Sequence, residues 1–120
     1  MKLCITAEGD TLEAAVDPRF ARAPYFIIFD TDTDAWHAVD NAENVQAAGG
    51  AGPQAAQRIA VEEAGAVLTG HCGPNAFRTL AAAGIEVFSD VEGTVAQAVE
   101  QYKAGNLTPT EGPDVRGHWM

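Results

Sequence analysis

The apolar residues of this 120-residue chain change period after the first third, and that change constrains the fold more than any single motif. Up to Val39 the apolar runs are short and strand-like. Leu3–Ala7 reads as a buried strand. Tyr25-Phe26-Ile27-Ile28-Phe29 is apolar throughout and rich in β-formers. Asp30-Thr31-Asp32-Thr33-Asp34 supplies turn chemistry, and Ala35–Val39 follows as a further strand, so the two strands read as a hairpin. The alternating acids are similar to a calcium loop, but the glycine and the closing Glu are missing, so the turn reads as a solvated tip.

After the hairpin, helical spacing alternates with short buried runs. Ala48-Gly49-Gly50-Ala51-Gly52-Pro53 reads as a glycine-rich loop ending in a helix-starting Pro. Ala56, Ile59, Ala60 and Glu63 share the face of the helix that follows, and Gly65 is expected to end it. Ala66–Thr69 reads as a strand. Gly70-His71-Cys72-Gly73-Pro74-Asn75 is a second glycine loop ending at a helix-starting Pro. Phe77, Leu80 and Ala81 form that helix's buried stripe, and Gly84 closes it. Ile85–Phe88 is the last strand. Thr94 is placed to cap a final helix bearing Val95, Ala98, Val99 and Tyr102, ending at Gly105.

The order β-β-β-α-β-α-β-α predicts an α/β fold with a mixed sheet. If the first strand lies centrally beside Ala66–Thr69, the chain leaves it in two opposite directions. Ligands of open α/β sheets bind at such a switch point, beyond the carboxyl ends of the strands. Three segments then meet there: Glu8–Pro24, Ala48–Pro53 and Gly70–Asn75. Two of them deliver helix starts, whose unpaired N–H groups favour anions.

Charge narrows the partner. Seven Lys and Arg face seventeen Asp and Glu, a formal charge of −10. Nucleic acid and anionic membranes select the opposite sign. No apolar run approaches the roughly 18 residues of a membrane span. An acid at position 8 comes too early for a signal peptide. Cys4 and Cys72 make neither a disulfide framework nor a CxxC zinc pair, so a reducing cytoplasm is the expected compartment.

Against this acidic background Arg19, Arg22 and Arg78 fall near the expected switch point. One reading is ordinary surface pairing, with Asp17 the obvious partner of the first. The other is a local anion site. Micromolar binding requires about 8 kcal/mol. Two helix dipoles supply about 0.3–1 kcal/mol each, and hydrogen bonds to a charged group about 1.5–3 each. Arginines, several backbone N–H groups or a metal–ligand bond must therefore contribute. Cys72, beside His71 and near a helix start, is the candidate for such a bond, since thiolate and imidazole suit copper, zinc or iron–sulfur chemistry. The alternative is that Cys72 only fills space. Cys4 and His37 read as core and hairpin surface. His118, Trp119 and Met120 end a tail with no packing signal.

His71-Cys72-x5-Arg78-Thr79 also has the spacing of a cysteine-dependent phosphatase loop, with Asp17 or Asp10 as general acid. Pro74 removes a donor N–H there, and Phe77 reads as helix core. An acidic, non-catalytic interaction domain is a third reading.

Asp17-Pro18-Arg19-Phe20-Ala21-Arg22-Ala23 resembles the Asp-x-Arg-Phe-Gly-Arg-Ala segment of the dinitrogenase iron–molybdenum cofactor biosynthesis family. Ala48–Pro53 and Thr69–Phe77 are similar to its two other glycine loops, and Gly93-Thr94-Val95 and Tyr102–Gly105 to its last helix. The resemblance covers about residues 1–107 and implies a ribonuclease H-like three-layer fold, a five-stranded mixed sheet with helices on both faces. Residues 108–120 are expected to be a flexible tail. The family implies binding or carriage of a molybdenum-containing sulfide cluster, with iron or copper, rather than turnover. Its partners would be that anionic cluster and the proteins that donate or accept it. The binding residues expected on this chain are Arg19, Phe20, Arg22, Gly49, Gly50, Gly52, Thr69, Gly70, His71, Gly73 and Asn75, with Cys72 and His71 as optional metal ligands, Cys72 either bonding the cluster or only lining its pocket. Ala21 stands where the family usually has Gly, a departure that matters if that position needs a positive φ.

Overall fold

A computed structural model describes residues 1–42 and 51–110. Among them the order is β1 (Lys2–Ala7), β2 (Tyr25–Asp30), β3 (Trp36–Asp40), α1 (Ala51–Val61), β4 (Ala64–Leu68), α2 (Pro74–Ala82), β5 (Glu86–Phe88) and α3 (Val95–Lys103). The sheet runs β3-β2-β1-β4-β5. The hairpin β2–β3 is antiparallel, and β2 is antiparallel to β1. Strand β1 is parallel to β4, and β4 to β5. The first strand is thus central, as the alternation predicted, and the switch point lies at its carboxyl end.

Period-2 alternation divides the core between the two faces of the sheet. Cys4, Phe26, Ile28, Val67 and Val87 face α1 and α2, where they meet Ala55, Ala56, Ile59, Ala76 and Leu80. Leu3, Ile5, Ile27, Phe29, Leu68 and Phe88 face α3, where they meet Val95, Ala98 and Val99. This is the three-layer α/β/α arrangement expected above.

Three boundaries differ from the sequence reading. Gly65 does not end α1. Glu63 takes the left-handed conformation instead, with φ 64, and Gly65 is the extra residue of a bulge, since Lys2 faces Ala64 and Leu3 faces Ala66. The bulge explains why Ala64 and Val67, three residues apart, share one side of the sheet. Pro53 is not the first helical residue of α1, since Ala51 and Gly52 before it are already helical. The chain also stays docked past Leu107, which packs on the α3 side. The Thr110 N–H donates to the Val87 carbonyl at 2.7 Å along the β5 edge. His118, Trp119 and Met120 lie outside the described residues.

The expected caps are present. Gly84, φ 77, follows α2. Its N–H bonds the Ala81 carbonyl, and the Ile85 N–H bonds Leu80, a Schellman ending that the left-handed residue makes possible. Thr94 and Gln97 form a reciprocal capping box at the start of α3.

Candidate functional site

Everything at the carboxyl end of β1 is tied to the 8–24 segment. Val16 pairs with Ala7. The Asp17 N–H donates to the Thr6 carbonyl at 2.8 Å. The Thr6 hydroxyl bonds the Asp17 carbonyl at 2.7 Å and the Thr69 hydroxyl at 2.9 Å. Thr6 and Thr69 are fully buried, so these bonds satisfy groups that water cannot reach.

Beyond Asp17 the segment lies against the loop after β4. Arg19 pairs with His71 as a parallel bridge, and the Phe20 N–H donates to the His71 carbonyl at 3.1 Å. Only glycine fits at position 70, because a Cβ there would stand 2.6 Å from Pro18 Cα. The other flank is held by Asn41, 2% exposed. Its Nδ2 donates to the Ala21 carbonyl at 3.1 Å and the Ala23 carbonyl at 2.8 Å. Ala21 is not among the described residues with positive φ, so its side chain is no obstacle in this loop.

These ties build a depression of about 410 Å³ whose wall includes Arg19, Phe20, Arg22 and His71 on one side. Gly52 and Pro53 of α1 and Gly73, Pro74, Asn75 and Ala76 at the start of α2 form the other side. Helix α1 approaches the start of α2 closely, since a Cβ at Gly52 would be 3.1 Å from Ala76 Cβ. Gly73 caps α2 without a side-chain hydrogen bond, which leaves first-turn N–H groups for an outside acceptor. Phe20 lines the depression although it is 2% exposed; its ring stacks on Phe26 with centroids 5.8 Å apart.

The charge at Arg19 is already partnered. Asp17, 2% exposed, accepts from the Arg19 backbone N–H at 2.8 Å and from Nε and Nη2 at 3.2 Å each. Hydrogen bonding to Asp17, then its charge, raises the Arg19 guanidinium above its ordinary value, so it stays a cation. The pairing with Asp17 that the sequence suggested is thus formed, and Arg19 stands in the wall of the depression.

Of the expected site residues, Arg19, Phe20, Arg22, Gly52, His71, Gly73 and Asn75 come together around this depression. Gly49 and Gly50 lie outside the described residues. Thr69 is fully buried on Thr6 and does not reach the wall. Gly70 lines a second depression. Cys72 is fully buried in the apolar cluster with Phe20, Ala55 and Ala76, and its Sγ lies 3.8 Å from the Gly73 carbonyl. In this conformation it fills space, as one of the two readings had it, and does not line the depression. Among the described residues, no group of three or more His, Cys, Asp or Glu is arranged to hold a metal ion.

The second depression, about 730 Å³, lies on the far side of His71 and is bordered by Glu13, Asp90 and Glu92. Carboxylates repel an anion, so the smaller, arginine-bearing depression is the candidate site. The phosphatase arrangement is not formed. Residues 74–82 are helix, not a loop wrapped round a phosphate. Arg78 points its Nη2 at Asn75 Oδ1, and the Thr79 hydroxyl bonds the Asn75 carbonyl.

Asn41 escaped the sequence reading. It stands in a polar run, Asp40-Asn41-Ala42-Glu43-Asn44, that looks like any turn. Asp17 was visible as a partner of Arg19, but its burial was not.

The family model described as dinitrogenase iron–molybdenum cofactor matches residues 1–105. The chain is 44% identical to the orange protein from Desulfovibrio gigas, solved in its apo form, covering 95% of this chain and 96% of that one with a TM-score of 0.93. It is 34% identical to a Thermotoga protein of the DUF35 family, covering 97% and 98% with a TM-score of 0.83. A protein from Methanocaldococcus jannaschii shares the fold at 17% identity, TM-score 0.71, over 94% and 97% of the two chains. No protein of curated function matches.

Proposed function

The chain belongs to the dinitrogenase iron–molybdenum cofactor family, and on that premise we propose that it binds and carries an anionic sulfide cluster of molybdenum with iron or copper. The cluster would sit in the depression between the 19–22 segment, Gly52 and Pro53 of α1, and the start of α2. One observation carries this reading. A chain of formal charge −10 places Arg19 and Arg22 in one wall, opposite the start of a helix whose cap leaves N–H groups available.

The chemistry of the wall suits such a cargo. A sulfide cluster is a bulky anion with a soft, weakly hydrated surface. Guanidinium groups and N–H donors match its charge, while Phe20, Pro53 and Pro74 offer apolar contact. Two charge-assisted hydrogen bonds from arginine and two from backbone N–H groups, at about 1.5–3 kcal/mol each, reach the range of micromolar binding without a protein–metal bond. Among the described residues His71 is the imidazole in the wall, and a direct metal bond would come from it. Holding and releasing a cluster needs no bond made or broken in a substrate, so the role is carriage rather than catalysis. Donor and acceptor proteins with basic surfaces fit so acidic a carrier. A reducing cytoplasm suits both its thiols and a sulfide cargo.

The test is to mix the protein anaerobically with tetrathiomolybdate, alone and with cuprous or ferrous ion, and to follow visible absorbance after desalting. Retained colour that Arg19→Ala with Arg22→Ala abolishes supports the reading. Colour unchanged by the double substitution refutes the electrostatic basis of the site.

A further inference from the structure

A buried carboxylate beside a site for an anion needs explaining. Asp17 is 2% exposed, and its charge repels whatever anion Arg19 attracts. Loop geometry does not require that charge. The bond from the Arg19 backbone N–H to Asp17 Oδ1, 2.8 Å, is a local turn that the neutral oxygen of an asparagine also makes. Only the guanidinium needs the carboxylate, whose Oδ1 and Oδ2 take Nε and Nη2 side by side.

We propose that Asp17 is a positioning residue, fixing the plane and direction of the Arg19 guanidinium so that its Nη1 group is held ready for the anion; this rests on the functional reading above. An arginine side chain that is 60% exposed would otherwise sample many rotamers and lose that freedom on binding. The buried partner makes the loss during folding instead. The fork geometry matters, because two parallel N–H···O bonds set a plane, which a single point charge cannot do.

The proposal predicts an effect opposite in sign to simple electrostatics. Through-space repulsion alone says that Asp17→Asn tightens anion binding severalfold, because a negative charge has gone. Positioning says that it weakens binding about tenfold, because an amide would turn an N–H towards the guanidinium and release it.

The experiment is a tetrathiomolybdate titration of wild type, Asp17→Asn, Arg19→Ala and the double variant, with thermal midpoints measured alongside. The expected result is weaker binding by Asp17→Asn and, in the Arg19→Ala background, no further weakening from Asp17→Asn. Unchanged or tighter binding by Asp17→Asn overturns the proposal alone. So does an equal loss in both backgrounds, which would mean that Asp17 only holds the loop. Failure of wild type to bind overturns the functional reading and this proposal with it. If Asp17→Asn does not fold, Arg19→Lys reads the same point. It keeps the charge and loses the fork, so weaker binding supports the proposal and unchanged affinity overturns it.

Discussion

Substituting Gly70 by alanine should damage the junction on which the whole site depends. The new Cβ would stand 2.6 Å from Pro18 Cα and 2.8 Å from the Pro18 carbonyl oxygen. Carbon contacts are comfortable at about 3.5–4.0 Å, so about 1 Å of separation must come from backbone movement. Both obstructing atoms are main chain, and neither can rotate away. Overpacking of this kind costs about 1–3 kcal/mol. The movement also pulls the Phe20 N–H from the His71 carbonyl, now 3.1 Å away, a bond worth about 0.5–1.5 kcal/mol. The expected outcome is a loss of about 2–4 kcal/mol in urea unfolding and a thermal midpoint lower by about 10 °C. Gly73 is the control. A Cβ there meets nothing within 4 Å, its φ of −68 is ordinary for alanine, and Gly73→Ala should cost under about 1 kcal/mol. Gly70→Ala as stable as wild type would show that the 18–20 segment and the 70–72 loop are not packed as described.

Three other substitutions probe separate parts of the account. Asn41→Ala removes the Nδ2 donor from the part-buried Ala21 carbonyl and the buried Ala23 carbonyl and should cost about 1–3 kcal/mol in urea unfolding; a loss below about 0.5 kcal/mol would contradict its role in holding the loop. Cys72→Ala should keep the tetrathiomolybdate colour, since the thiol is fully buried, and loss of colour at unchanged stability would restore Cys72 as a ligand. Burial, then the charge of Glu62, pushes the Cys4 thiol up, so it should react with thiol reagents only on unfolding; fast labelling of the native protein would refute that packing. The Asp32 backbone N–H, first among several causes, holds the Asp30 carboxyl below its ordinary 3.8. A depressed carboxyl stabilises above its unfolded value and stops doing so as pH falls through its folded value. Asp30→Asn should therefore be less stable than wild type at neutral pH and equal to it in strong acid, a difference read from urea unfolding at each pH.

Local pattern carried the framework and failed where tertiary packing decided. The central β1, the β2–β3 hairpin, the Pro74 start of α2 and the Thr94 cap follow from rules that act over a few residues. Gly65 was misread because a glycine after a helix and a glycine in a strand bulge look alike until the partner strand is known. Cys72 stood among loop residues, and nothing local says that a side chain beside glycines turns into the core; Thr69, read as the end of a strand and as part of the loop after it, kept the strand's burial. Gly52 was expected in a loop because Pro53 reads as a helix start, yet Gly52 is already helical. The pairing of Arg19 with Asp17 was visible from two residues' separation. The burial that gives the pairing its meaning depends on Thr6 and the 70–72 loop.

Amide chemical shifts of the nitrogen-15 labelled protein, recorded while tetrathiomolybdate is added, locate the anion most directly. Shifts are expected at Arg19 to Arg22 and at Gly73, Asn75 and Ala76, and none at the Asp30–Asp34 turn at the other end of the sheet. Shifts confined to the acidic depression of Glu13, Asp90 and Glu92, or to the hairpin tip, would place the ligand elsewhere and contradict the proposed site.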